Sequence, residues 1–125
     1  MTGGRFDTGR FGPPSLWLTT VGRTTGTVRE NAMFYLEDGP NLVIVASNAG
    51  ADTDPAWWLN LRAHRDTTVR LPGQPPRPIH ARDATPAEHA ALWPRVVALD
   101  RNMADYQRRT TRHIPIVILE PGATP

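Results

Sequence analysis

A short polar turn carries the clearest binding chemistry in this sequence. The turn Gly22-Arg23-Thr24-Thr25-Gly26 joins two β-rich stretches, and Arg29 and Asn31 follow it closely. A guanidinium group, hydroxyls and turn amides within a few residues can close on a phosphate, and each charge-assisted contact contributes roughly 1.5–3 kcal/mol. An ordinary solvated hairpin tip would show the same residues, so the turn alone leaves both interpretations open.

A second candidate binding segment is Ala46-Ser47-Asn48-Ala49-Gly50. It follows a continuous apolar stretch, and its small residues would let a ligand approach the backbone closely. Whether this segment binds a ligand depends on which residues the fold places beside it.

Several other chemistries are excluded by residues that the chain lacks. The 125 residues include no cysteine, and all fourteen basic residues are arginines. Thiol nucleophiles, disulfides, cysteine-ligated metal sites and Schiff-base or P-loop lysine chemistry therefore cannot be built. Neither serine, Ser15 or Ser47, lies in a G-x-S-x-G elbow, and no G-x-G-x-x-G joins a strand to a helix. The histidines lack ligand spacing, so no metal site is predicted.

The charge pattern argues against a nucleic-acid partner. The chain has fourteen arginines and twelve acidic residues, which give a net charge of +2. Nucleic-acid binding would need the arginines clustered on one face, yet they are scattered from Arg5 to Arg112 with acids between them. We therefore expect no nucleic acid to bind.

The chain length suits one domain, which we place at residues 15–121, with a disordered leader at 1–14 and a tail at 122–125. The leader has no apolar region of the kind a signal peptide needs, and nowhere do about 18 apolar residues run together. We expect a cytoplasmic protein with no integral membrane segment. The pairs Arg5-Phe6 and Arg10-Phe11 leave weak peripheral contact with the inner membrane surface open.

Apolar and β-branched stretches between turn signals predict about six strands. The last of them is apolar on both faces and should be buried in the sheet, while the first three should form a meander. The predicted strands are Leu16 to Val21, Thr27 to Leu36, Asn41 to Ser47, Thr67 to Leu71, Ile79 to Ala84 and Ile114 to Glu120.

Two or three short helices are predicted at residues 54–63, 85–99 and 103–110. Asp54 should cap the first helix, and Thr85 should open the second through a capping box. Pro94 should kink or divide the second helix, because proline lacks the amide donor and its ring clashes with the preceding turn. Strands and helices do not alternate regularly, so the fold class is mainly β with short helices (α+β), built as a small antiparallel barrel.

Taken in order, these pieces resemble the deazaflavin-dependent nitroreductase family. The resemblance extends from Leu16 to Pro121 and rests on several irregular motifs that occur in the same order. They are Leu18-Thr19-Thr20-Val21-Gly22-Arg23-x-x-Gly26, Arg29-x-Asn31, Val45-Ala46-Ser47-Asn48-x-Gly50, Pro55-x-Trp57-x-Leu59-Asn60-Leu61, Ala81-Arg82-x-Ala84, Leu92-Trp93-Pro94 and Ile114-Pro115-Ile116-Val117.

This resemblance implies a split antiparallel β-barrel of the FMN-binding type that binds coenzyme F-420, an 8-hydroxy-5-deazaflavin. It implies hydride transfer from the reduced cofactor to a small-molecule acceptor such as a quinone, a nitroaromatic or an activated enone. By the same resemblance, the residues facing the cofactor's phosphate and lactyl tail are Arg23, Thr24, Arg29 and Asn31. The rest of the groove would be lined by Ala32, Met33, Ala46, Ser47, Asn48, Gly50, Trp57 and Asn60.

The sequence also departs from the family. Thr24 and Asn48 stand where many members have basic residues, so the oligoglutamate tail of the cofactor should add little affinity. Ser47 and Tyr106 are the hydroxyls predicted to assist catalysis, since a donor near the acceptor oxygen stabilises its developing charge. Two alternatives stay open, namely FMN in the same barrel and a non-catalytic deazaflavin-binding carrier. The sequence is compatible with a monomer or a homodimer.

Overall fold

A seven-stranded antiparallel sheet organises the part of the chain that this computed structural model describes, residues 14–122. Its spatial order is β2-β1-β5-β6-β7-β4-β3. The strands are β1 (Ser15–Val21), β2 (Val28–Phe34), β3 (Leu36–Asp38), β4 (Asn41–Val45), β5 (Asp66–Arg70), β6 (Arg77–Asp83) and β7 (Ile116–Pro121). The predicted leader at 1–14 lies outside the described residues except for Pro14.

The sheet curls because its two edges meet at one residue. Strands β2 and β3 lie at opposite edges of the sheet, yet only Tyr35 separates them in the chain. Tyr35 packs against the core cluster on one side of the sheet, whereas Leu36 belongs to a second cluster. The chain leaves one edge of the sheet at Phe34 and joins the other edge at Leu36, so the single strand predicted from Thr27 to Leu36 is wrong. The pairings of the predicted three-strand meander are present, since β2 pairs with β1 and β3 pairs with β4, but the two halves of its middle strand lie at opposite edges of the sheet.

The core divides into two clusters on the two faces of the sheet. The larger cluster contains Leu16, Leu18 and Ile44, and the smaller one joins Val43 and Ile118 to helix residues. Strand β7 is buried along its first four residues. This confirms the prediction of a last strand that is apolar on both faces and lies inside the sheet.

Three helices occupy connections of the sheet: α1 (Ala56–Ala63), α2 (Pro86–Leu99) and α3 (Asn102–Arg109). The capping box of α2 is confirmed, because the Thr85 hydroxyl accepts from the Glu88 N–H and the Glu88 carboxylate accepts from the Thr85 N–H. Helix α2 continues through Pro94 as one element, so the expected division is absent. The predicted Asp54 cap is wrong, since Pro55 is the N-cap of α1 and no side chain caps it. No helix within residues 14–122 is long and apolar enough to cross a membrane.

Candidate functional site

A cavity of about 460 Å³ is bounded by residues of both edges of the curled sheet and of all three helices. Its walls come from β2, β4, the loop after β4, the start of α1 and the facing sides of α2 and α3. The volume lies within the range of roughly 300–1,000 Å³ that small-molecule and cofactor sites occupy. The lining residues are Ser15, Ala32, Met33, Phe34, Leu36, Val43, Val45, Ser47, Asn48, Ala49, Pro55, Trp57, Val96, Leu99, Asp100, Met103 and Tyr106.

Six of the residues singled out from the sequence line this one cavity. They are Ala32, Met33, Ser47, Asn48, Trp57 and Tyr106. Ser47 and Tyr106 come from segments about sixty residues apart in the chain, and only the fold brings them to a common space. The cavity therefore joins predicted cofactor-binding residues to both predicted catalytic hydroxyls, whose catalytic role stays a prediction.

The loop after β4 forms a left-handed turn at its contact with the cavity. Asn48, Ala49 and Gly50 have φ values of 47°, 54° and 81°. The turn is closed by Gly50 N–H donating to the Ser47 carbonyl at 2.9 Å and by Ala51 N–H donating to the Asn48 carbonyl at 3.0 Å. Left-handed backbone at residues other than glycine costs about 1–3 kcal/mol each and persists only where surrounding contacts hold it. The surroundings of this turn must therefore stabilise it.

A polar track leads away from the cavity along the edge strand β2. The β2 residues Arg29, Asn31 and Met33 lie directly opposite the buried β1 residues Thr20, Leu18 and Leu16. Directly opposed side chains share a face, so Arg29 and Asn31 lie on the same face as the cavity residue Met33. At about 3.3 Å per residue, Arg29 is roughly 13 Å along the strand from Met33. A ligand held at Met33 could extend past Asn31 to a cation at Arg29.

The β1–β2 turn is fastened to helix α1 by a side-chain amide. The Oδ1 atom of Asn60 accepts from the Arg23 backbone N–H at 3.1 Å and from Arg23 Nη1 at 2.7 Å. Asn60 is buried, whereas Arg23 is exposed. Asn60 thus holds Arg23 at the protein surface near the outer end of β2.

Besides Arg23, Arg29, Asn31 and Asn60, three further predicted binding residues lie outside the cavity lining. Thr24 is exposed on the β1–β2 turn. Ala46 is fully buried in the larger core cluster. Gly50 is buried beneath α3, where a β-carbon on it would fall 2.8 Å from the Tyr106 carbonyl oxygen. The last two contribute to the shape of the loop rather than to the surface of the cavity.

Two helices supply lining residues that the sequence did not reveal as part of a site. Val96 and Leu99 come from α2, and Met103 comes from α3. Their spacing of three or four residues gave a signal for a packed helix face, but nothing in that pattern identified a ligand. Asp100 adds a carboxylate at the junction of the two helices.

Arg112 is a further residue that sequence reasoning passed over. Its guanidinium donates to the carbonyls of Ala46, Ser47 and Ala51 at 3.2, 2.9 and 3.1 Å. It also donates to Asp54 Oδ1 at 2.7 Å. These contacts join positions about sixty residues apart, so no local motif could predict them.

The ion-pair cluster with the largest pKa shifts lies away from the cavity. Arg82 donates to Glu88 at 2.7 and 2.9 Å and to Glu120 at 3.0 Å. The hydrogen bonds from Arg82, followed by the Thr85 amide, hold the pKa of Glu88 at about 2. In Tyr35, burial and the carboxylate of Glu37 raise the pKa. Among residues 14–122, no group of three or more His, Asp or Glu side chains could hold a metal ion.

Comparison with known proteins gives a consistent set of matches. The sequence pattern of the F-420H(2)-dependent quinone reductase family matches residues 1–121. An F-420H(2)-dependent quinone reductase of Mycobacterium tuberculosis is 36% identical over 112 residues, which cover 86% of this chain and 73% of the relative.

Solved structures extend the similarity to the fold. An F-420-H2 dependent reductase superposes with a TM-score of 0.76 at 30% identity, covering 86% of this chain and 94% of the other. A structure described as a domain-swapped dimer superposes with a TM-score of 0.77 at 27% identity, covering 93% and 96% of the two chains. The split β-barrel predicted from the resemblance is thereby confirmed.

Proposed function

The chain belongs to the F-420H(2)-dependent quinone reductase family, and on that premise we propose that it transfers a hydride from reduced coenzyme F-420 to a quinone or a related oxidised acceptor. The observation that carries this proposal is the single cavity in which the left-handed turn at Asn48, the indole of Trp57 and the helix bearing Tyr106 meet. The turn and Trp57 form a side that suits the cofactor, and the helix bearing Tyr106 forms a side that suits the acceptor.

The residues present fit a deazaflavin. A flat heterocycle needs apolar walls, which Met33, Val45 and Trp57 supply, and polar groups at its edge, which Ser47 and Asn48 supply. An anionic tail needs a cationic exit, and Arg29 lies on the same strand face as Met33, with Arg23 at the adjoining turn. The cavity and the adjoining face of β2 therefore offer the apolar, polar and cationic groups that such a cofactor requires.

When bound, reduced coenzyme F-420 supplies the hydride. The protein then contributes placement and the exclusion of water. Val96, Leu99 and Met103 form an apolar wall for the acceptor from the side of α2 and α3. Apolar walls remove competing water and hold the acceptor against the cofactor, which turns an encounter in solution into an ordered contact.

The hydroxyls of Tyr106 and Ser47 act on the acceptor oxygen. Hydride addition to a quinone leaves negative charge on a carbonyl oxygen, and a hydroxyl donor at that oxygen stabilises the charge as it develops. The proton that completes the hydroquinone comes from Tyr106 or from a water molecule in its place. Both side chains line the cavity, which is the minimum condition for this role.

Turnover with a panel of acceptors tests the proposal. The purified protein with reduced F-420 should oxidise the cofactor in the presence of quinones, followed by absorbance. Parallel assays with nitroaromatics and activated enones define the acceptor class. Cofactor binding without turnover on any of the three classes would favour the carrier alternative and contradict the enzyme assignment.

We propose further that the protein forms a homodimer in the cytoplasm. Val28 and Phe34 are exposed on β2, at 67% and 45% of their possible surface. They occupy an edge strand, whose free backbone groups and apolar side chains favour pairing with a second chain. Sedimentation equilibrium should give twice the chain mass of 13.8 kDa, whereas a monomer at micromolar concentration contradicts the dimer. The cytoplasmic location stays a prediction.

A further inference from the structure

Arg112 joins the cavity loop to the segment that follows helix α3. All four groups that accept from its guanidinium belong to residues 46–54: three backbone carbonyls and the Asp54 carboxylate. The Arg112 side chain is only 14% exposed. It does not line the cavity, so it is placed to act through the loop rather than on a ligand.

The accepting carbonyls bracket the left-handed turn. Ala46 and Ser47 precede the turn and Ala51 follows it, so one planar guanidinium holds the chain on both sides of Asn48 and Ala49. The rigid fork of arginine suits this task, because several donors are fixed in one plane. A residue with fewer or more mobile donors would leave one side of the strained turn free.

The anchoring continues into the helix on the acceptor side. The Gln107 side chain donates to the Arg112 carbonyl at 2.7 Å and accepts from the Ile114 N–H at 3.0 Å. The Thr110 hydroxyl donates to Asp52 at 2.7 Å. The segment that carries Arg112 is therefore tied both to the cavity loop and to α3, the helix of Tyr106.

We propose that Arg112 is a positioning residue that holds the left-handed turn, and with it the lining residues Ser47 and Asn48, in place beside the cavity. The consequence for cofactor affinity rests on the proposed function. The consequence for the loop itself does not, because it follows from hydrogen bonds within the chain.

A matched pair of arginine substitutions tests this role. Arg82 is the control, since it also donates to several acceptors yet lies outside the cavity lining. In Arg112→Gln, we expect the dissociation constant for F-420 to rise about tenfold and hydrogen exchange to increase in the peptide covering 46–54. Arg82→Gln should lower the thermal midpoint while leaving F-420 affinity within about twofold of the parent.

Two further measurements separate positioning from general stability. Arg112→Lys should recover only part of the affinity, because a single ammonium cannot reach acceptors on both sides of the turn. Low-millimolar guanidinium chloride should partly restore F-420 binding to Arg112→Gln, whereas the same concentration of sodium chloride should not. If Arg112→Gln fails to fold, Asp54→Ala replaces it, since it removes the side-chain acceptor of the same guanidinium.

The outcomes are distinct. Unchanged exchange in residues 46–54 of folded Arg112→Gln, or equal losses of affinity in Arg112→Gln and Arg82→Gln, would overturn the positioning role. A parent protein that binds no F-420 would contradict the proposed function instead, and the exchange measurement would still decide the role of Arg112.

Discussion

Gly50 lies directly beneath Tyr106. A β-carbon at Gly50 would fall 2.8 Å from the Tyr106 carbonyl oxygen and 3.0 Å from its Cα, and the φ angle of Gly50 is 81°. Helix α3 thus rests on a part of the loop where only hydrogen fits. The loop after β4 and helix α3, which form the proposed cofactor and acceptor sides of the cavity, are in contact through this glycine.

Gly50→Ala should therefore displace α3 and weaken cofactor binding. The left-handed conformation alone costs about 1–2 kcal/mol for a residue with a β-carbon, and the clash with backbone atoms adds to it. Gly39→Ala is the control, because Gly39 also has a positive φ, 61°, with nothing within 4 Å of its added β-carbon. F-420 titration should show a loss of affinity in Gly50→Ala only, and thermal denaturation should show the larger fall in midpoint for Gly50→Ala. Equal effects in both variants would contradict the close packing of Gly50 against Tyr106.

Arg23 and Asn60 should be energetically coupled. Asn60→Ala removes the acceptor that holds Arg23 and leaves the buried site without its amide, so we expect a loss of about 1–3 kcal/mol in unfolding free energy. If Arg23 binds the cofactor phosphate from this anchored position, Arg23→Ala and Asn60→Ala should each weaken F-420 binding, and the double variant should lose less than the sum. Additive losses measured by calorimetry would show that the two residues act separately.

Tyr106→Phe tests the acceptor hydroxyl without removing the ring. If the hydroxyl stabilises charge on the acceptor oxygen, kcat and kcat/KM should fall together, by about tenfold or more, with F-420 affinity intact. The ring keeps its contact with Arg109, whose guanidinium carbon lies 5.6 Å from the ring centroid. Full turnover of Tyr106→Phe on a panel of quinones and nitroaromatics would remove Tyr106 from the catalytic assignment.

The Arg82–Glu88 pair should make part of the protein's stability acid-sensitive. The folded-state pKa of Glu88 is about 2, below the ordinary value of 4.5, so its contribution is present above 4.5 and lost as the pH falls toward 2. Glu88→Gln removes the charge but can keep the capping box. The parent should be more stable than Glu88→Gln at about pH 6 and should approach it at about pH 2. A difference in denaturation midpoint that does not change with pH would contradict this linkage.

Local chemistry predicted the elements whose signals lie within a few residues. The Thr85–Glu88 capping box and the apolar run of β7 were both identified from sequence and confirmed. The break at Tyr35 was not, because it depends on how the sheet closes, with β2 pairing with β1 at one edge and β3 pairing with β4 at the other. Asp54 illustrates the same limit: its position suggested a helix cap, but its carboxylate instead accepts from Arg112, 58 residues along the chain.

The candidate site divides in the same way. The resemblance to the family implied that Met33, Ser47 and Asn48 line a groove, and all three line the cavity. Tertiary packing alone brings Val96 and Leu99 to the cavity. It also brings Arg112 to the carbonyls with which it makes hydrogen bonds. A pattern within a few residues cannot predict which distant carbonyls accept hydrogen bonds from one guanidinium.

Competition between F-420 and FMN tests directly whether the cavity binds a deazaflavin. Titration of the protein with F-420 and with FMN, followed by absorbance and by calorimetry, measures both affinities on the same preparation. We expect F-420 to bind at micromolar concentration, and we expect FMN to bind more weakly and to be displaced by F-420. FMN binding as tightly as F-420 or more tightly, with F-420 unable to compete, would contradict the assignment of this cavity to a deazaflavin.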